Sequence, residues 1–109
     1  METKIKGLLG LAQRANKVYA GDYLCRKNMR SIALLVLSTE ASPRMQKEYN
    51  FAAVKFNIPL IYWSSKYEMG KTIGKTEKSV LGISDNGFAK QILTLTDEDV
   101  KENGGGFIG

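Results

Sequence analysis

IALLVLS (residues 32–38) is an uninterrupted apolar run that closes on a serine and has polar residues on both sides. A strand with one wet face alternates apolar and polar residues. A short continuous run instead predicts a strand covered on both faces of a sheet, and this one is expected to be the central strand. Toward the C-terminus, Ser42 followed by Pro43 reads as a helix cap and first-turn pair, and Met45, Tyr49, Ala52, Ala53 and Phe56 keep helical spacing behind it. Asn57 and Pro59 should end that helix, after which LIYW (60–63) reads as a second buried strand. Ser65 and Glu68 form a capping-box pattern for a short helix that Gly74 should terminate. KTEK (75–78) is then a polar loop and SVLGIS (79–84) a third strand. Asp85 or Asn86 caps a last helix with Phe88, Ile92 and Leu95 facing inward.

Toward the N-terminus, KIKGLLGLAQRANK (4–17) carries Ile5, Leu8, Leu9 and Ala12 on one helical stripe, with Asn16 as a natural stop. VYA (18–20) adds a short strand before a glycine turn at Gly21. Helices and strands alternate along the chain, which predicts a three-layer α/β/α sandwich around a small, mainly parallel sheet.

The chain has 109 residues, enough for one domain with its own core. Hydrophobic content of 43% and charged content of 25% exclude wholesale disorder. With one cysteine and no histidine, an internal disulfide and a cysteine/histidine zinc cluster are both impossible, and the commonest general base is missing. No metal, cofactor or catalytic residue is expected. The apolar runs are too short to span a membrane and the N-terminus lacks a signal-peptide pattern, so the expected location is the cytoplasm, away from membranes.

Charge divides unevenly. Residues 1–96 hold 15 Lys and Arg against 7 Asp and Glu, a formal +8, whereas residues 97–109 hold 1 against 4, a formal −3. The expected domain is therefore residues 1–96, with 97–109 an acidic, glycine-rich tail in which Phe107 and Ile108 touch a neighbour. A basic body favours polyanions, and nucleic acid suits it better than a membrane surface because no strongly amphipathic basic helix bearing Trp or Phe is present.

GDYLCRKNMR (21–30) is the stretch most suited to a polyanion. Gly21 leads a short helix with Asp22 as its N-cap, Cys25, Met29 and Ile32 recur as an apolar stripe, and Arg26, Lys27 and Arg30 fall on the remaining faces. A glycine turn feeding a helix start, with cations nearby, suits a phosphate backbone. The same pattern also describes the solvated face of an ordinary core helix. Cys25 lies on the apolar stripe without a histidine partner and is read as core rather than nucleophile. Tyr62 and Trp63 are read as core, leaving Tyr19, Tyr23 and Tyr67 freer to be exposed.

MGKTIGKTEKS (69–79) contains Gly-Lys-Thr twice and superficially suggests a nucleotide-phosphate loop. That loop needs four residues between its first glycine and the closing Gly-Lys-Thr, and only three separate Gly70 from Gly74. It must also run from strand into helix, whereas Gly74, Lys75 and Thr76 leave a helix and approach a strand. The better reading is a helix end followed by an exposed loop able to meet nucleic acid through Lys75, Thr76, Glu77 and Lys78.

Taken together, LLGLAQRANKVYAGDYLCRKNMR (8–30), IALLVLSTEAS (32–42), IPLIYWSSKYEMGKTIGK (58–75) and SVLGISDNGFAKQI (79–92) resemble the ribosomal proteins of the L-seven-Ae and L-thirty-e family, and more closely its small bacterial members. The most specific pieces are LLGLAQRANK, MGKTIGK and SDNGFAKQI. The resemblance implies an α/β/α sandwich with a four-stranded mixed sheet. It also implies non-catalytic binding of RNA kink-turns or related internal loops; structured RNA, ribosomal RNA first, is the expected partner of a ribosome-associated protein, and a monomer is the expected state. The resemblance places an RNA surface on the turn and N-terminal half of the helix after Gly21, bracketed from the other side by Ile73, Gly74, Lys75, Thr76 and Glu77; with the cationic face read above, the candidate RNA-binding residues on the first side are Gly21, Asp22, Tyr23, Arg26, Lys27 and Arg30. Gly21 and Lys27 match the family's glycine and its lysine six residues on. One departure stands out: archaeal members carry an Asn-Glu pair between them that reads guanines in sheared G·A pairs, where this chain has Tyr23 and Leu24. Losing that pair removes base-edge hydrogen bonds but leaves phosphate contacts, and Tyr23 could stack on a base instead. A protein-interaction scaffold on the same fold, and less so a nucleotide-binding enzyme, are the alternative functions.

Overall fold

The computed structural model describes residues 2–102, with side chains over 3–96. In chain order the elements are α1 (Glu2–Arg14), β1 (Val18–Ala20), α2 (Asp22–Lys27), a 3-10 turn (Met29–Ser31), β2 (Leu34–Leu37), α3 (Pro43–Lys55), β3 (Leu60–Tyr62), α4 (Lys66–Thr72), β4 (Val80–Ile83) and α5 (Asn86–Glu102). The strands form one sheet in the order β1-β4-β2-β3. Every residue of β2 and β4 is buried, as the continuous apolar run predicts for the sheet centre.

The expectation of a mainly parallel sheet is corrected. β2 and β3 are parallel, but β4 runs antiparallel to both β1 and β2. The loop after α4 returns to the end of the sheet where β2 finishes, and Ser38 N donates to Ser79 O there at 2.9 Å. β4 therefore starts where β2 stops and has to run the opposite way. The sheet is mixed and four-stranded, in the α/β/α layering that the resemblance implied.

Side-chain alternation across β2 and β4 divides the interior in two. Leu34, Val36, Leu81 and Ile83 pack with Ile5, Leu9, Met69, Ile73 and Ile92 of α1, α4 and α5. Leu35, Leu37 and Val80 pack on the other face with Cys25, Met29, Ile32, Tyr49 and Ala53 of the α2–α3 layer. Gly82 permits the close approach of α2, since a Cβ there would lie 2.5 Å from Ile32 Cδ1 and 3.3 Å from Cys25 Sγ.

The helix ends follow their sequence signals. Asn16 (φ 60°), Asn57 (φ 55°) and Gly74 (φ 71°) each take the left-handed position past a helix. Each is closed by the paired bonds of a Schellman end, such as Ile58 N to Ala53 O at 2.8 Å and Lys75 N to Gly70 O at 2.8 Å. Ser42 and Ser65 cap α3 and α4 by accepting from Met45 N and Glu68 N, both at 3.1 Å. Asp85 caps α5 through Phe88 N at 2.8 Å. Glu68 completes only half of the expected capping box, because its carboxylate meets Lys6 Nζ of α1 instead.

Two boundaries differ from expectation. LIYW is not a buried strand: β3 lies at the sheet edge, Leu60 and Ile61 are half-buried, Tyr62 is 43% exposed, and only Trp63 beyond the strand is buried. A strand with one neighbour is covered on fewer sides, a condition invisible in its composition. At the other boundary, the α5 backbone continues through Glu102, past the change to acidic residues at Asp97. Acidic side chains do not stop a helix whose backbone bonds are local. Phe107 and Ile108 lie outside the described residues.

Candidate nucleic-acid interface

β1 hands the chain to α2 through Gly21, at φ 94° and ψ 168°, a conformation that favours glycine. Gly21 N donates to Val80 O at 2.9 Å, and Gly21 O accepts from Cys25 N at 3.1 Å. A single residue thus joins the sheet end to the first turn of α2. Asp22 is not the expected N-cap: Gly21 holds that position and makes no side-chain cap. The Asp22 carboxylate turns toward α3, accepting from Tyr49 Oη and from Arg26 Nε, both at 2.7 Å. α2 is only six residues long, so its dipole adds little and its side chains carry the chemistry.

Tyr23 is 73% exposed, and Lys27, one turn later, places Nζ 5.7 Å from its ring centroid. Leu24 is 41% exposed and also faces outward. Arg26 and Arg30 sit apart from this pair. Arg26 bonds Asp22 and Glu48 and lies over the Tyr49 ring at 5.3 Å, while Arg30, on the 3-10 turn, lies over Phe56, the residue that closes α3, at 5.4 Å. The helix breaks at Asn28, which carries Arg30 toward the opposite end of the sheet from Gly21.

The second segment wraps around the end of α4. Gly74, Lys75, Thr76 and Glu77 are exposed. Ile73 is not part of the surface: at 5% exposed it packs in the core one turn after Met69, because it continues the apolar stripe of α4. The loop lies directly on the helix, as a Cβ at Gly70 would fall 2.0 Å from Thr76 O. Lys75 N donates to Gly70 O at 2.8 Å and Lys78 N to Lys66 O at 3.1 Å. The sequence singled out Gly70 only for its place in a failed nucleotide motif. A glycine inside a helix is no sufficient signal of this contact, since Gly7 of α1 has nothing within 4 Å of its Cβ position.

Lys78 joins the two segments. Its Cδ comes within 3.6 Å of the Cβ position of Gly21, and its Nζ bonds Thr76 Oγ1 at 3.3 Å. Both segments sit at the end of the sheet where β1, β2 and β3 finish and β4 begins. Ser38 ties the neighbouring turns there, donating from Oγ to Ser64 O at 3.0 Å and accepting from Glu40 N at 2.9 Å. The structure therefore brings the Gly21 turn and the 74–78 loop together through Lys78, pairs Tyr23 with Lys27 on the exposed face of α2, and turns Asp22 and Arg26 to α3, Arg30 to Phe56 and Ile73 to the core. Gly74, Lys75 and Thr76 run from helix toward strand, opposite to a nucleotide-phosphate loop.

Other sequence readings divide. Cys25 is buried, its Sγ donates to Tyr19 O at 3.3 Å, and burial, with a smaller effect from the Asp22 charge, pushes its pKa up to about 12. Such a thiol stays protonated and inert. Tyr67 is exposed, but Tyr19 is half-buried against the α2–α3 core, contrary to expectation.

The Asp22–Arg26–Glu48–Arg44 chain anchors the Gly21 turn to α3. Burial works to raise the Asp22 pKa, but bonds from Tyr49 and Arg26 outweigh it and hold the carboxyl below its ordinary value. Bonds from Arg26 and Arg44 do the same for Glu48. A depressed folded pKa contributes stability above the unfolded value, about 4, that is lost as pH falls through the folded one. Urea unfolding between pH 7 and 3 is expected to show this acid loss, and Tyr49→Phe should make the slope below about pH 4 shallower. Equal slopes in the two proteins would mean that Tyr49 does not hold Asp22.

A four-stranded mixed sheet between two helical layers, with two loops meeting at one sheet end, defines a small basic domain of the ribosomal-protein type. The chain belongs to the Ribosomal protein L7Ae/L30e/S12e/Gadd45 family, whose sequence model matches residues 3–93. It is 38% identical over 92 residues to the RNA-binding protein YlxQ of Bacillus subtilis (strain 168), covering 83% of this chain and 92% of that protein. It is 32% identical over 96 residues to the RNA-binding protein YlxQ of Enterococcus faecium, covering 86% and 92%. A solved structure of a protein with unknown function from Bacillus halodurans C superposes with a TM-score of 0.82 at 30% identity, over 86% of this chain and 97% of that one.

Proposed function

We propose that this chain is a non-catalytic, monomeric RNA-binding protein of the cytoplasm. Its target is a kink-turn or related internal loop, first of all in ribosomal RNA. The carrying observation is the meeting of the Gly21 turn and the 74–78 loop through the Lys78 stem. Lys27 and Lys75 supply phosphate contacts, and Tyr23 offers an open ring to an unstacked base. The relatives named as RNA-binding proteins and the basic body of the chain support the same reading.

Phosphate neutralisation releases counterions, so affinity for a kink-turn RNA is expected to fall steeply with salt. In titrations at several salt concentrations, Lys27→Ala with Lys75→Ala should weaken binding to different structured RNAs alike and flatten the slope by about one unit or less per contact. Unchanged affinity and slope in the double variant would place the surface elsewhere.

A further inference from the structure

α3 carries a second exposed face. Arg44, Lys47, Phe51 and Lys55 recur at three- and four-residue spacing and so share one stripe. The Arg44 side chain is 88% exposed and Phe51 is 70% exposed. The stripe borders a groove of about 610 Å³ that Arg26, Ala52 and Phe56 complete. Lys55 and Arg30 both hold their charges over the Phe56 ring, at 5.5 and 5.4 Å. Glu48, the one carboxylate in the lining, already has an oxygen on Arg26 and the other on Arg44. The groove therefore presents uncompensated cations. A smaller depression lined by Asp22, Arg26, Ser42, Arg44 and Glu48 joins it to the Gly21 turn.

Lys47 and Lys55 each stand about 6 Å along the helix axis from Phe51, at a rise of 1.5 Å per residue. A cation, an open ring and a second cation in that order match a strand whose phosphates and base alternate, the arrangement single-strand binders use. We propose that this groove binds a single-stranded RNA segment continuing from the main surface. One base stacks on Phe51, and phosphates meet Arg44, Lys47 and Lys55. The inference rests on the RNA-binding reading above. RNA fits better than an acidic protein because Phe51, on the groove wall, is 70% exposed and offers an open ring face to a base, with a lysine one turn away on either side for the flanking phosphates.

The test compares a blunt kink-turn hairpin with the same hairpin carrying about eight unpaired uridines on its 5′ or its 3′ end, within the span of one single-strand site. One extended RNA is expected to bind about fivefold tighter or more. Phe51→Ala should abolish that gain and leave the blunt hairpin's affinity unchanged. Lys47→Ala and Lys55→Ala should each reduce the salt slope of the extended RNA by about 0.7. No gain from either extension, or a gain that survives Phe51→Ala, overturns the proposal. So does a labelled peptide of alternating glutamate and leucine that binds in a Phe51-dependent way more tightly than free oligo-uridine. If the blunt hairpin does not bind, the main-surface reading fails by itself, and the oligo-uridine titration decides the groove: binding lost in Phe51→Ala supports it, and absent or unaltered binding overturns it.

Discussion

Gly70→Ala is expected to destabilise the protein by about 1–3 kcal/mol, the usual cost of forcing an extra methyl into a packed site, and to weaken RNA binding with it. The new Cβ would meet Thr76 O at 2.0 Å, Thr76 C at 2.5 Å and Glu77 Cα at 3.0 Å. All three are backbone atoms, so no side chain can swing aside. Either α4 shifts or the 74–78 loop leaves the helix, losing the bond from Lys75 N to Gly70 O. Gly7→Ala is the matched control. Gly7 is exposed in α1 with nothing within 4 Å of its Cβ position, so alanine there should stabilise by about 0.5–1 kcal/mol. The same substitution thus acts with opposite sign at two helical glycines. Urea unfolding of both variants, with kink-turn titration of Gly70→Ala, checks this. A Gly70→Ala protein with unaltered midpoint and unaltered affinity would show that the loop does not rest on α4.

The second large effect concerns Tyr23 and Leu24, where the family resemblance leads one to look for a polar pair. Without it, the protein is expected to bind a kink-turn RNA and a version lacking the sheared G·A pairs with similar affinity. Tyr23→Asn with Leu24→Glu should then add discrimination, since a good base contact is worth roughly 1–3 kcal/mol, from about fivefold to more than a hundredfold. The structure removes the main obstacle to the swap. Leu24 is 41% exposed, so a glutamate there remains hydrated and buries no charge. Thermal melting should show the variant folded before its binding is read. If the unmodified protein already prefers the intact kink-turn by a hundredfold, Tyr23 stacking or the backbone around Gly21 carries the readout.

Local physics explains what could be read directly from the residues. Ser42 with Pro43, Ser65, Asp85, Asn16, Asn57 and Gly74 mark helix ends because caps and left-handed turns are settled within a few residues of chain. The run at 32–38 announced the sheet centre because burial on both faces leaves no polar alternation. The spacing of Cys25, Met29 and Ile32 likewise placed them in the core, even though the helix breaks at Asn28 between the first two.

What remained hidden depends on contacts between residues far apart in sequence. Composition gave no sign that β4 runs antiparallel between β1 and β2, since strand direction follows from where the preceding loop returns. Nor could it place β3 at an edge. The candidate surface shows the same division. GDYLCRKNMR and the loop after Gly74 were recognisable as separate segments from their glycines and charges. Spacing alone could not say that Asp22 and Arg26 would turn to Tyr49 and Glu48 on α3, or that Ile73 would sink into the core. The sequence by itself determined the elements, their ends and the two segments that carry exposed cations, because those follow from neighbours along the chain. Only the tertiary structure decided which of those side chains share a surface. Lys78 meets Gly21 across 57 residues of sequence because β1 and β4 pair side by side, and no local pattern encodes that contact.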